Sequence, residues 1–253
     1  MPRDPAAALP WRVEETCFNA FPALRQVLLD GWLLRFSEGL SRRANSANPL
    51  RPGCAPVETI IEQVEALYRG QGLPTIFRIP TVAEPAIEAA LAARDYTAEG
   101  ETCVLHSAMA ALAAAPDAAV ELSAHAGGDF LAAMGALQGH NAAQRGIYRR
   151  IVRGVAVPVR FAALRIDGRV AALAYGALHD GLLCYESVIT DPRRRRQGLA
   201  RRVIAALADW ARQESAGGAC LQVEATNAPA LALYAAFGLA ELHRYRYWRA
   251  PPG

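Results

Sequence analysis

In the N-terminal half, Val57, Ile60, Ile61, Val64, Leu67 and Tyr68 recur at i, i+3, i+4, i+7, i+10 and i+11, the pattern of a helix with one buried face. Gly70 and Gly72 stop this helix. Shorter apolar runs around it read as strands: Trp32 to Phe36 after the Asp30-Gly31 turn, Leu40 to Ala47 after Glu38-Gly39, Thr75 to Ile79, and Thr102 to His106. Pro85 to Ala93 reads as a short helix, so strands and helices alternate through this half.

After an alanine-rich stretch from Ala108 to Ala119 with Pro116 inside it, the pattern changes. Asp129 to Gly139 and Ala142 to Val152 read as helices. Val159 to Ile166, Arg169 to Leu178 and Leu182 to Thr190 follow, joined by Asp167-Gly168 and Asp180-Gly181. Asp-Gly between apolar runs favours a two-residue hairpin, because both positions tolerate positive φ. Two such hairpins predict an antiparallel meander. A helix from Leu199 to Gln213, a strand Cys220 to Glu224, a helix Pro229 to Phe237 and a strand Leu242 to Trp248 complete the pattern. The fold class expected is α/β, in detail an α+β mixed sheet with helices packed on it. The expected organisation is an N-terminal domain over 1–112, a linker over 113–119 and a second domain over 120–253.

Charge sharpens this division. Residues 1–116 carry 10 arginines against 13 acids and residues 117–253 carry 17 against 11, so an anionic ligand is expected on the second half. No apolar run approaches the roughly 18 residues of a membrane span, and Met1 to Pro10 lacks the apolar core of a signal peptide. No membrane partner and a cytoplasmic location are the expectations. Cys17, Cys54, Cys103, Cys184 and Cys220 are odd in number, far apart and without a C-x-x-C pair, which argues for buried thiols over disulfides or zinc. The five histidines show no ligand spacing either, so no metal is expected.

One segment carries candidate chemistry. From Val188 through Thr190, Asp191 and Arg193–Arg196 to Gln197, Gly198, Leu199 and Ala200, a strand passes through a basic loop directly into a helix. Backbone N–H groups at a helix start, with no side chain at Gly198, form a cradle for phosphate. Arg195-x-x-Gly198-x-Ala200 resembles the pyrophosphate loop of the GNAT superfamily of acyl-CoA N-acyltransferases. Asn227-x-x-Ala230-x-x-Leu233-Tyr234-x-x-x-Gly238-Leu239 resembles the second signature of that family, at the expected distance.

The resemblance implies acetyl-CoA as cosubstrate and acetyl transfer to a primary amine of a small molecule or peptide, by direct attack through a tetrahedral intermediate. Val188, Ile189 and Thr190 would hold the pantetheine arm on a strand splayed from its neighbour. Arg195, Arg196, Gln197, Gly198, Leu199 and Ala200 would cradle the pyrophosphate. Asn227 resembles a polar contact to the cofactor arm, and Tyr234 the phenol that protonates the departing thiolate. Glu186 is the candidate base, on the face of Cys184 and Val188 in a regular strand; some GNAT enzymes carry a glutamate two residues earlier, where this chain has Cys184.

The first half resembles the latter part of the same plan and predicts a tandem arrangement with a degenerate N-terminal unit. Its segment Asn48 to Pro56 lacks the phosphate pattern and contains three prolines, which remove N–H donors, so no cofactor is expected there. Arg43 and Asn45, on the polar run Arg42 to Ser46, are candidate substrate-binding residues, or simply an outer strand face. Two other readings stay open: a catalytically silent acetyl-CoA-binding module, and a nucleic-acid binder using Arg193–Arg196. The alternation Tyr245-Arg246-Tyr247-Trp248-Arg249 is read as a strand with one solvated face, not as a stacking platform. The sequence leaves a homodimer open.

Overall fold

The computed structural model describes residues 5–51, 53–112 and 117–251. In chain order the elements are α1 (Pro5–Ala20), β1 (Arg25–Leu29), β2 (Trp32–Phe36), β3 (Ala47–Pro49), α2 (Val57–Gly70), β4 (Ile76–Pro80), α3 (Pro85–Ala92), β5 (Thr97–Ala108), β6 (Val120–Ser123), α4 (Gly128–Leu137), α5 (Ala142–Arg153), β7 (Val159–Ile166), β8 (Arg169–His179), β9 (Leu182–Thr190), α6 (Leu199–Gln213), β10 (Gly218–Glu224), α7 (Ala228–Phe237) and β11 (Ala240–Arg249). They form two compact units, neither of them a continuous stretch of chain. The larger gathers Met1–Pro22, Val104–Val223 and Asn227–Leu242; the smaller gathers Ala23–Cys103, Glu224–Thr226 and His243–Gly253. The units therefore do not divide at 113–119, of which 113–116 lie outside the described residues.

In the smaller unit the strand order is β1-β2-β3-β4, then β11 and β5. Asp30 and Gly31 adopt φ of 40° and 85° and join β1 to β2 antiparallel; sequence reading recognised this turn but missed the exposed strand before it. The periodic face of α2 buries Ile60, Ile61, Val64 and Tyr68 against Trp32, Phe36 and Phe77. The Tyr68 hydroxyl donates to Arg35 O at 2.9 Å, which lets a phenol sit in this core.

Leu40 to Ala47 is not a strand, as had been expected. Glu38 and Gly39 turn with φ of 53° and 75°, Arg42–Ala44 forms a single 3-10 turn, and only Ala47–Pro49 is extended. Asn45 explains the difference. Its Oδ1 accepts from Ser37 N (2.7 Å) and Gly39 N (3.0 Å), and its Nδ2 donates to Ser41 O (2.7 Å), offering the backbone local partners in place of a ladder.

In the larger unit the order is β5-β10-β9-β8-β7-β6. Both Asp-Gly pairs form the expected two-residue hairpins, with φ of 52° and 72° at 167–168 and 46° and 70° at 180–181. α6 buries Val203, Ile204 and Leu207 completely against β7, β8 and β9, each burial contributing about 1.5–3 kcal/mol.

The helix α1, with Pro10 inside it, was not foreseen from the sequence. It nevertheless packs on β8 and β9 with Val13, Cys17 and Ala20 fully or almost fully buried. Arg12 fixes it further through Asp180, at 2.5 Å. Among the described residues no helix is long and apolar enough to cross a membrane.

Candidate active site

The course of β9 shapes the site. Cys184, Tyr185 and Glu186 pair with Ala177, Gly176 and Tyr175 of β8, but Ile189 and Thr190 pair with Leu173 and Ala172. Ser187 and Val188 thus oppose Ala174 together: a β-bulge, with Ser187 held at φ 52°. Its hydroxyl is 2.5 Å from the Tyr148 hydroxyl on α5. Because side chains alternate along a strand, the extra residue moves Val188 off the face of Cys184 and Glu186 and puts Ile189 there. The expectation that Glu186 and Val188 share a face is corrected accordingly.

On its other edge β9 pairs in parallel with β10 from Leu182–Gly218 to Cys184–Cys220, and the paired register ends there. Both strands continue, β9 as far as Thr190 and β10 as far as Glu224. The parted strands leave a notch beside Val188, Ile189 and Thr190.

Past Thr190 the Asp191 carboxylate accepts from Arg193 N at 2.9 Å and caps a short 3-10 turn. Arg193 is paired with Asp191 (3.4 Å) and Arg194 with Asp167 (2.7 Å). Arg195 and Arg196 are exposed and form no ion pair among the described residues. Arg196 and Gly198 adopt φ of 61° and 73°, and Gly198 caps α6. The first N–H groups of α6 have no intrahelical acceptor and carry the positive end of the helix dipole. A Cβ added at Gly198 would meet nothing within 4 Å, so this glycine serves conformation and close approach, not packing. Leu199 turns its side chain into the core and offers only its backbone to a ligand. These residues suit a diphosphate.

Asn227 caps α7 by accepting from Ala230 N at 3.2 Å, which leaves its amide NH2 for other partners. About two helix turns after Asn227, Tyr234 is 7% exposed, and its phenol is pushed up to about 12, first by burial and then by the charge of Glu186. Tyr234 therefore remains an O–H donor at neutral pH. Glu186 is 4% exposed, with Oε1 at 4.0 Å from Cys184 Sγ. Residues 48 positions apart are brought within electrostatic reach of each other.

The candidate substrate residues are placed differently. Asn45 is 4% exposed and engaged in its turn, a structural role. Arg43 lies in the 3-10 turn, where its carbonyl accepts from buried Arg35 Nη1 at 2.8 Å. Sequence reading missed Arg35 and Arg78, 1% and 0% exposed. Arg35 is lowered to about 9, by burial first and then by Arg43 and Arg78, and Arg78 stacks over the Tyr245 ring at 3.5 Å. The signal was a lone arginine inside each apolar strand, Trp32–Phe36 and Ile76–Pro80. The larger unit also gathers Cys17, Cys184 and Cys220 into one buried group.

Known proteins resemble the chain over most of its length. A protein of Bacillus subtilis (strain 168) described as "Uncharacterized N-acetyltransferase YobR" is 23% identical over 240 residues, covering 93% of this chain and 96% of its own. The structure of a GCN5-related N-acetyltransferase from Kribbella flavida superposes with a TM-score of 0.73 at 18% identity, covering 99% of this chain and 97% of that one. A tandem GNAT protein from the clavulanic acid biosynthesis pathway has a TM-score of 0.63 at 14% identity, over 82% and 76% of the two chains. A family model described as "Probable histone acetyltransferase Rv0428c C-terminal" matches residues 11–248. With a match of that extent, the chain belongs to this acetyltransferase family of the GNAT superfamily.

Proposed function

We propose that the protein transfers an acetyl group from acetyl-CoA to a primary amine of a small molecule or peptide. The observation that carries this reading is the notch where β9 parts from β10 after Cys184–Cys220, with Tyr234 and Glu186 on the same unit. Bound acetyl-CoA supplies an activated thioester. Arg195, Arg196 and the N–H groups around Gly198 hold its diphosphate, while the backbone of Val188, Ile189 and Thr190 and the amide of Asn227 orient the arm.

An ammonium with a pKa near that of lysine, about 10.4, must lose a proton before it attacks. Glu186 takes that proton, and backbone N–H groups of the notch stabilise the developing oxyanion. The Tyr234 O–H donates to the leaving sulfur. The description of the matching family names a histone acetyltransferase, so a lysine-containing peptide belongs in the acceptor screen beside small amines. The nucleic-acid reading loses ground, because two of the four arginines in the run are already paired with carboxylates.

The test is isothermal titration with acetyl-CoA of the parent and of an Arg195→Ala, Gly198→Glu double variant. Micromolar binding by the parent and at least tenfold weaker binding by the variant are expected; no binding by either overturns the reading. Tyr234→Phe and Glu186→Gln should each keep acetyl-CoA affinity and lose turnover by about 10²-fold or more.

A further inference from the structure

Cys17 of α1, Cys184 of β9 and Cys220 of β10 are 1%, 0% and 0% exposed. Their sulfurs all lie within 4.8 Å of one another, and those of Cys17 and Cys184 are 3.7 Å apart. Zinc binds thiolates at about 2.3 Å, so two sulfurs on a tetrahedral ion stand about 3.8 Å apart. The Cys17–Cys184 separation already matches that edge. Cys184 and Cys220 are also the last paired residues before β9 and β10 diverge, so the group sits at the root of the notch.

We infer that Cys17, Cys184 and Cys220 form a site for a thiophilic divalent metal ion, zinc being the fitting case, which ties α1 to the fork of β9 and β10. Three S–H bonds break and three S–Zn bonds form, with three protons leaving to solvent. Oxygen atoms border the group, Tyr185 O at 3.8 Å and Glu186 Oε1 at 4.0 Å from Cys184 Sγ. Because the sulfurs are sealed from solvent, the ion enters as the chain folds. This inference does not depend on the acetyl-transfer reading, and its readout is metal content and coordination.

In the test, the reduced full-length chain is refolded with Zn(II), desalted and assayed for zinc, and its metal shell is measured by X-ray absorption. One ion per chain with three sulfurs at about 2.3 Å is expected. Cys220→Ala and Cys17→Ala should each lower zinc affinity by at least tenfold, while Cys54→Ala and Cys103→Ala should retain the ion; circular dichroism checks that each variant folds. The absorption measurement needs only the parent, so misfolding of a variant leaves the question decidable. Substoichiometric zinc, fewer than three sulfurs in the shell, or unchanged binding in folded Cys17→Ala would overturn the site.

Discussion

Ser187 has positive φ without being glycine, a conformation costing about 1–3 kcal/mol that its surroundings must sustain. Tyr148 supplies one such constraint, 5% exposed and bonded to Ser187 Oγ at 2.5 Å. Tyr148→Phe keeps the ring against Phe21, 6.1 Å away between centroids, and removes the hydroxyl that bonds Ser187. Urea unfolding should show a loss of about 1 kcal/mol, and the KM for acetyl-CoA should rise severalfold as the bulge loosens. At this scale the residues legible in the sequence were those whose spacing fixes their place. Gly198 stands at φ 73° immediately before α6, and Tyr234 falls between a capping Asn227 and Gly238 at φ 105°. The cysteine trio was not legible, since nothing in the spacing 17, 184, 220 marks convergence.

Among elements, the two Asp-Gly hairpins and α6 emerged within a residue or two of expectation, because local turn chemistry and period decide them. The bulge in β9 was invisible, since it is a mismatch between two strands and belongs to neither alone. The segment before β6 is tied to α6 by a further device: both Asp117 oxygens accept from Arg202, through Nε and through Nη2 (3.1 Å), and Oδ1 accepts from Ala119 N at 2.9 Å. These bonds, Arg202 first, hold the Asp117 carboxyl below its ordinary value. A depressed carboxylate stabilises the fold above the unfolded value of about 3.9 and ceases to do so as pH falls through the lower folded value. Asp117→Asn should therefore be less stable than the parent at neutral pH, with the gap closing on acidification; denaturant melts across that range measure it.

For the whole molecule, the mixed α/β class was legible from element order, whereas the membership of each unit was not, because the partners of α1 lie more than 140 residues away. A fragment 120–253 cut at the boundary read from sequence lacks Val13, Cys17, Phe18 and Phe21, all buried in the larger unit. Losing four such side chains removes about 6–12 kcal/mol of burial, comparable with the whole stability of a domain at about 5–15 kcal/mol. The fragment should fail to give a cooperative thermal transition, and supplying residues 1–112 in the same chain should restore it.

The interleaving of the two units bears on the order of events at the ribosome. The thiols of Cys17 and Cys184 meet across 167 positions, and the smaller unit draws its last strand from His243–Gly253. The first meeting waits until β9 has been made, and the second until β11 has. Synthesis at about 5–20 residues per second leaves α1 and its apolar face waiting some ten seconds or more for β8 and β9. Closure over so long a span is slow, and during the wait the apolar face of α1 is a natural client for a chaperone.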